Sequence, residues 1–133
     1  MEVREGMSSV VLAVGPDHTV RQAAEKMAEK GTGAALVFDD EGPAPRIITE
    51  RDVLLAIGAG VDPDKAKVAD HMSDSVISAP PDWSLERAAE EMVRRGIRHL
   101  VVVDGGELTG VLSMRDIVRC WTRVGATSSM SPP

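Results

Sequence analysis

Aromatic side chains are almost missing from this sequence, which has two tryptophans, one phenylalanine and no tyrosine among its 133 residues. Its core must therefore be built from aliphatic side chains and from seven methionines, whose flexible thioethers fill irregular gaps. Proteins that bind single-stranded nucleic acid usually stack the bases on aromatic rings. With so few rings available, we do not expect this mode of binding.

Cysteine and long apolar runs are also scarce. Cys120 is the single cysteine, which excludes an internal disulfide and a zinc site made of several cysteines. No stretch approaches the roughly 20 apolar residues of a membrane-spanning helix, and the acidic start lacks a signal-peptide pattern. We expect a cytoplasmic protein without membrane contact.

Positive charge is in deficit, since 15 lysines and arginines face 21 acidic residues and give a formal net charge of −6. Nucleic-acid binding draws on a basic surface that releases counterions from phosphates, so we expect no nucleic-acid partner. The proportions of 43% apolar and 27% charged residues are those of an ordinary globular protein.

The signatures of common enzymes are absent as well. The sequence contains no glycine-rich phosphate loop, nucleophile elbow, paired catalytic carboxylates or cluster of metal ligands, and its three histidines are scattered. We therefore predict that the protein is not an enzyme and requires no metal or cofactor.

What the sequence does contain is an internal repeat, which fixes the architecture. A shift of 65 residues aligns two series of identical residues, and after one short turn the shift becomes 64. The aligned pairs include Val3 with Val68, Met7 with Met72, Pro16 with Pro81, Ala23 with Ala88, Gly31 with Gly96, and Arg51-Asp52 with Arg115-Asp116.

Each copy predicts the order β-α-β-β-α. Thr19 and Ser84 are candidate N-caps before helices with a period of 3.6 residues, and Gly31 and Gly96 are placed to end those helices. A second helix is predicted after Thr49 and after Ser113. The predicted strands are 10–14, 34–38 and 46–48 in the first copy, and 76–78, 99–103 and 108–112 in the second.

The fold class that follows is α/β, of the α+β kind. We assign residues 1–60 to the first repeat, 61–67 to a linker that leads into a short helix, 68–122 to the second repeat, and 123–133 to a disordered tail. One unit of about 55 residues has too small a core to be stable alone. We therefore expect both repeats to form one module with pseudo-two-fold symmetry.

Four segments of the sequence resemble the cystathionine-β-synthase (CBS) domain family. Together with the repeat, they make the resemblance cover Val3 to Trp121. They are Gly110–Asp116, Gly96–Asp104, Thr49–Asp52 and Val68–Met72. The resemblance implies a stand-alone tandem CBS pair with a regulatory role. Such pairs commonly bind AMP, ADP, ATP or another adenosyl ligand in clefts between the repeats, and they often form homodimers.

The resemblance also implies which residues would bind the ligand. In the family's Ser/Thr-x-x-Asp motif, the carboxylate takes the ribose hydroxyls and the Ser or Thr faces phosphate. By that pattern one cleft would use Thr49 and Asp52 with Arg51, and the other would use Ser113 and Asp116 with Arg98, His99 and Arg115. The adenine ring would lie against the segments that precede the first strand of each repeat, which contain Val10 and Val76.

The second site should bind phosphate more tightly, because the first repeat has Gly33 and Ala34 where the second has Arg98 and His99. Two departures weaken the first site further. Arg46 stands where the family tends to have the glycine found here as Gly110, and the turn 41–45 before it is longer and stiffer.

Alternative interpretations stay open. Ser or Thr followed three residues later by an acid is also a capping box, which starts a helix without any ligand. Arg98 could form a surface ion pair, and His99 could be a partly buried strand residue. The whole chain could be a ligand-free module that dimerises or docks on an unknown regulated protein, through apolar residues such as Leu54, Leu55 and Ile57.

Overall fold

A computed structural model describes residues 1–38, 45–73 and 76–124. It is a mixed α/β structure with two three-stranded sheets, as the sequence predicts. In this part of the chain, no helix is long and apolar enough to cross a bilayer. The elements are α1 (Val3–Gly6), β1 (Ala13–Val14), α2 (Val20–Lys30), β2 (Ala34–Val37), β3 (Arg46–Thr49), α3 (Glu50–Gly58), a 3₁₀ helix (Val68–Asp70), β4 (Ser78–Ala79), α4 (Leu85–Arg95), β5 (His99–Asp104), β6 (Glu107–Ser113) and α5 (Met114–Val124).

The two sheets have the same topology. In each, a two-residue first strand runs parallel to the central strand, and the third strand is antiparallel to the central one. The parallel pair needs a crossover connection, which α2 and α4 supply. All four residues of β2 and residues 100–102 of β5 are buried, and they form the middle of each core.

Helices α2 and α4 begin and end where the sequence predicts. The Thr19 hydroxyl accepts a hydrogen bond from the Gln22 amide at 3.1 Å, and the Ser84 hydroxyl accepts one from the Arg87 amide at 3.0 Å. Each helix ends at a glycine with a φ of 66°, a left-handed conformation that glycine adopts without the steric cost of a Cβ. The helical spacing of apolar residues buries Val20, Ala23 and Met27 on α2, and Leu85, Ala88 and Met92 on α4.

The first strand of each repeat is shorter than predicted. The expected strands 10–14 and 76–78 are observed as Ala13–Val14 and Ser78–Ala79, because only two residues of each pair with the central strand. Apolar character at the start of a run does not by itself supply a hydrogen-bonding partner. Val10, for example, is 77% exposed.

The connection between the repeats matches the prediction only in part. The Asp62 carboxylate caps the expected turn, because it accepts a hydrogen bond from the Asp64 amide at 3.0 Å. The short helix expected after Asp62 is a single turn, in which the Lys65 and Ala66 amides donate to the Asp62 carbonyl at 3.1 and 2.9 Å. At the other end, α5 continues to Val124 and so includes the first two residues of the predicted tail. The rest of that tail, 125–133, and most of the turn before Arg46, 39–44, lie outside the described residues.

The leading segment of each repeat packs with the other repeat. The chain forms two compact units, which we call the Thr49 unit (Val11–Val76) and the Ser113 unit (Met1–Val10 with Ile77–Pro133). Ser8 and Val111 exchange two backbone hydrogen bonds of 2.9 and 3.0 Å, so the amino-terminal segment lies along β6 of the Ser113 unit. Ser73 and Ile47 form the corresponding pair in the Thr49 unit, at 2.8 and 3.2 Å.

This exchange explains the glycine at position 110. A Cβ on Gly110 would lie 2.5 Å from the Ser8 carbonyl oxygen and 3.0 Å from the Met7 sulfur. The backbone oxygen cannot move aside without breaking the pairing of Ser8 with Val111, so a side chain at position 110 would force this segment to shift. In the Thr49 unit the aligned residue is Arg46, so the close approach to a glycine belongs to the Ser113 unit and is not a requirement of the pairing itself.

Each unit has its own aliphatic core, and each core includes one valine from an exchanged segment. Val3 is fully buried in the Ser113 unit, and Val68 is fully buried in the Thr49 unit. The Ser113 core consists of Val3, Ala79, Leu85, Ala88, Met92, Leu100, Val102, Leu112, Ile117 and Cys120. The Thr49 core consists of Val14, Ala23, Met27, Ala35, Val37, Ile48 and Val68.

Candidate functional site

The predicted ligand residues of the second repeat lie where β6 passes directly into α5. We call Ser113–Asp116 the Ser113 motif. The Ser113 amide donates to Asp116 Oδ2 at 2.8 Å, and the Asp116 amide donates to Ser113 Oγ at 3.0 Å. These reciprocal bonds are a capping box, so the motif starts the helix whether or not a ligand is bound.

Among the described residues, Asp116 is the one charged residue that is buried, with 8% of its surface exposed. Its second carboxylate oxygen, Oδ1, accepts a hydrogen bond from the guanidinium of Arg119, whose side chain is 54% exposed. A buried carboxylate needs such partners, because removing a charge from water is costly unless it is paired. Asp116 therefore has one oxygen in the helix cap and the other in an ion pair.

Sequence reasoning missed Arg119. The signal was present, because residues three positions apart on a helix are neighbours, and Arg119 follows Asp116 by three on the predicted α5. The family resemblance drew attention only to residues within and before the motif. Arg119 thus joins the candidate site on geometry alone.

The predicted basic residues are brought to the same end of the Ser113 sheet. His99 begins β5 and pairs in register with Ser113. The Met114 amide donates to the Arg98 carbonyl at 2.9 Å, which holds the residue before β5 against the first residue of α5. Arg98 and Arg115 are exposed and His99 is half-buried. The backbones of Arg98 and His99 therefore lie next to the Ser113 motif, which itself contains Arg115.

The first repeat has the same cap geometry. We call Thr49–Asp52 the Thr49 motif. The Thr49 amide donates to Asp52 Oδ2 at 2.8 Å, the Thr49 hydroxyl donates to the same oxygen at 3.1 Å, and the Asp52 amide donates to the hydroxyl at 3.3 Å. Arg51 is exposed and Asp52 is half-buried. Both motifs are thus built alike, as the repeat predicts.

The surroundings of the two motifs differ in charge. The Glu50 amide donates to the Gly33 carbonyl at 2.8 Å, the counterpart of the bond between Met114 and Arg98. A Cβ on Gly33 would lie 3.0 Å from the Glu50 carboxylate, so an acidic group covers the position that carries an arginine in the second repeat. The negative charge of Glu50 at this position disfavours an anion there.

Val10 and Val76, predicted to border the adenine, fall in different units. Val10 is exposed, lies two residues after the pairing of Ser8 with Val111, and belongs to the Ser113 unit. Val76 is half-buried, lies three residues after the pairing of Ser73 with Ile47, and belongs to the Thr49 unit. The segment exchange therefore associates each valine with the motif of the opposite repeat. Residues 74–75 lie outside the described chain.

Comparison with known proteins identifies the repeated unit. The CBS domain profile matches residues 2–59 and again residues 68–122. The CBS domain-containing protein YhcV of Bacillus subtilis is 31% identical over 115 residues, which cover 86% of this chain and 81% of that protein. An uncharacterised protein of Methanopyrus kandleri is 35% identical over 111 residues, or 82% of this chain. The chain spans 57% of the length of that protein and 41% of a second archaeal relative, from Methanocaldococcus jannaschii, that is 33% identical.

Two solved structures resemble the chain over most of its length. A CBS domain protein from Pyrobaculum aerophilum, complexed with AMP, has a TM-score of 0.78 and 31% identity, covering 96% of this chain and 99% of that one. A hexameric CBS-CP12 protein from bloom-forming cyanobacteria has a TM-score of 0.80 and 27% identity, covering 89% of this chain and 69% of that one. With both of its repeats matched in sequence, the chain belongs to the CBS domain family.

Proposed function

We propose that this CBS pair is a regulatory module that binds an adenine nucleotide such as AMP, ADP or ATP at the Ser113 motif. The observation that carries the proposal is the AMP complex of the Pyrobaculum protein, which is 31% identical along 96% of this chain. The bound nucleotide would stabilise one conformation or assembly of the module, because a ligand shifts an equilibrium by its differential affinity for the available states.

The chemistry of the Ser113 motif suits such a ligand. A carboxylate oxygen accepts hydrogen bonds from ribose hydroxyls, and Asp116 is held at a fixed place by the cap of α5. Arginine side chains form strong, charge-assisted hydrogen bonds with phosphate. Arg115 is exposed within the motif, and Arg98 is exposed on the residue whose carbonyl accepts from the Met114 amide. The positive end of the α5 dipole adds a favourable field for an anion.

The Thr49 motif is proposed as the weaker site. Its cap and carboxylate match those of the Ser113 motif, but Glu50 places a negative charge beside Gly33. Phosphate should therefore bind less tightly there than at the Ser113 motif. The same reasoning predicts that the difference in affinity between the two motifs is smaller for a nucleotide with fewer phosphate charges.

Calorimetry with AMP, ADP, ATP, S-adenosylmethionine and NADH tests this proposal. We expect one of these ligands to bind the purified protein saturably, and Asp116→Ala to abolish the tighter site. The Ser113 hydroxyl still accepts from the residue-116 amide in this variant, so α5 keeps its N-cap. Asp104→Ala, which removes an exposed carboxylate of the same unit, is the matched control and should bind normally.

Two results would contradict the nucleotide proposal. One is the absence of binding by any of the five ligands to a folded protein. The other is binding that Asp116→Ala and Asp52→Ala both leave unchanged, because the ligand would then lie away from the two motifs.

A second candidate function is self-association, and an exposed apolar surface on α3 favours it. Leu54, Leu55 and Ile57 are 69%, 59% and 50% exposed. Three of the nine residues of α3 are therefore large apolar residues in contact with solvent. The cyanobacterial relative is hexameric. We propose that a second copy of this chain covers the α3 surface, with a homodimer as the smallest assembly.

Sedimentation velocity tests the self-association. Leu54→Lys should shift the protein towards monomer, whereas Val93→Lys, at a valine 74% exposed on α4, should leave the assembly unchanged. A wild-type protein that is monomeric at all accessible concentrations would contradict the proposal. So would an assembly that Leu54→Lys leaves intact.

A further inference from the structure

We propose that Arg119 is a lock on the Ser113 motif, which competes with the ribose hydroxyls for Asp116 and makes this site weaker for ribose than its cap geometry allows. The inference rests on the proposed nucleotide binding and adds a residue that sets how the two motifs differ. Among the described residues, the Thr49 motif has no such lock, because Leu55 occupies the equivalent position.

The first step concerns the two oxygens of the Asp116 carboxylate. Oδ2 accepts the Ser113 amide at 2.8 Å and so belongs to the helix cap. Oδ1 is the oxygen that remains for a ligand, and Arg119 donates to it. A ribose that places its hydroxyls on Asp116 must therefore share Oδ1 with Arg119 or displace it.

The second step is the comparison with Asp52. In the described residues, all the hydrogen bonds that reach the Asp52 carboxylate end on Oδ2, from the Thr49 amide and the Thr49 hydroxyl. The shift of 64 residues that aligns Asp52 with Asp116 also aligns Leu55 with Arg119. Leu55 has no side-chain donor, so it cannot occupy Oδ1 of Asp52 as Arg119 occupies Oδ1 of Asp116.

The third step is that the lock can open. The Arg119 side chain is 54% exposed, whereas that of Asp116 is 11% exposed. The guanidinium can therefore rotate into water while the carboxylate stays in the cap, and only one ion pair has to break. Ion pairs with one largely solvated partner are weak, which sets the expected effect of the lock at about fivefold in affinity.

The two motifs are therefore selective in opposite ways. Around the Ser113 motif, cationic side chains favour phosphate while Arg119 opposes the ribose. Around the Thr49 motif, Glu50 opposes phosphate while Asp52 is open to the ribose. We expect the Ser113 motif to gain affinity steeply with each added phosphate, and the Thr49 motif to discriminate less between adenosine and its phosphates.

The experiment isolates each motif and uses adenosine, which has the ribose hydroxyls but no phosphate for Arg119 to attract. In an Asp52→Ala background, calorimetry reports the Ser113 motif alone. There, Arg119→Leu should tighten adenosine binding about fivefold. Arg123→Leu, which removes an exposed arginine one turn further along α5, is the matched control and should change nothing.

Two further readouts distinguish a lock from a merely structural role. The gain from Arg119→Leu should vanish with 2′,3′-dideoxyadenosine, which has no ribose hydroxyls to place on Asp116. In an Asp116→Ala background, Leu55→Arg should install a lock on Asp52 and weaken adenosine binding about fivefold. Leu55 is 59% exposed, so the longer side chain fits without displacing the core. Because Leu55 also lies on the proposed self-association surface, Leu54→Lys in the same Asp116→Ala background is the control and should leave adenosine binding unchanged.

The outcomes separate this inference from the function on which it rests. If AMP binds at the two motifs but Arg119→Leu leaves adenosine affinity unchanged or weakens it, the lock is wrong and the nucleotide proposal stands. If the gain persists with 2′,3′-dideoxyadenosine, the competition does not involve the ribose and the lock is also wrong. If neither AMP nor adenosine binds any variant, the proposed function fails and the lock fails with it.

Discussion

Gly110→Ala tests whether the amino-terminal segment is held on β6 as described. The added Cβ would lie 2.5 Å from the Ser8 carbonyl oxygen, well inside van der Waals contact. If the structure absorbs the overlap, overpacking of this kind costs about 1–3 kcal/mol. If the segment detaches instead, the two hydrogen bonds between Ser8 and Val111 are lost, at about 1 kcal/mol each.

Both routes therefore converge on a cost of about 2 kcal/mol, from which a smaller gain must be subtracted. Alanine restricts the unfolded chain more than glycine does, which stabilises a protein by about 0.4–1 kcal/mol where the native backbone accepts it. Gly110 is not among the glycines with positive φ, so this gain applies. The net loss in the free energy of unfolding should be about 1–2 kcal/mol.

Urea unfolding followed by tryptophan fluorescence measures this loss, since Trp83 and Trp121 both pack against the core of the Ser113 unit. Gly58→Ala is the control, because a Cβ at this helical position meets nothing within 4 Å and should be neutral or stabilising. Hydrogen exchange should also quicken at the Ser8 and Val111 amides in Gly110→Ala. Equal unfolding midpoints for the two variants, with unchanged exchange, would refute the proposed contact.

Two further predictions concern the core and one charge cluster. Val3→Ala should lower the free energy of unfolding by about 2 kcal/mol in a urea titration, because it leaves a cavity at a fully buried site. Val10→Ala, at a 77% exposed valine, is the control and should change the free energy of unfolding by less than about 0.5 kcal/mol. Similar losses in both variants would contradict the exchange of segments. Hydrogen bonds from Arg94 and then Arg95 lower the pKa of Glu91 from 4.5 to about 2. This carboxylate therefore stabilises the fold above pH 4.5 and loses that effect as the pH falls towards 2. The difference in the free energy of unfolding between wild type and Glu91→Gln should shrink over the same pH range. A difference that stays constant would argue against the ion pairs of Glu91 with Arg94 and Arg95.

Local signals predicted the parts of the fold that local physics determines. Helix caps at Thr19 and Ser84 and helix ends at Gly31 and Gly96 depend on a few neighbouring residues, and all four are confirmed. The order β-α-β-β-α of each repeat is confirmed as well, because each buried strand has its own apolar run. Strand ends were less predictable, since they depend on where the partner strand stops.

The exchange of leading segments could not be predicted, because the similarity of two copies does not say which copy a segment packs against. The close approach at Gly110 is one result, since it joins residues about a hundred positions apart in the chain. The candidate site shows both cases. Its cap residues could be predicted because the Ser or Thr and the Asp are three residues apart in the sequence. The approach of the Glu50 carboxylate to Gly33 could not, because it depends on the pairing of β2 with β3.

The exchange also sets an order in which the protein can be completed during synthesis. The Thr49 unit is continuous in sequence, from Val11 to Val76, so all its parts have been made once residue 76 emerges from the ribosome. The first ten residues must wait, because their partners on α4 and β6 are translated after the Thr49 unit. Until then Val3 lacks the core that buries it, and a nascent chain halted before β6 holds every residue of the Thr49 unit but not the strand that pairs with its own amino-terminal segment.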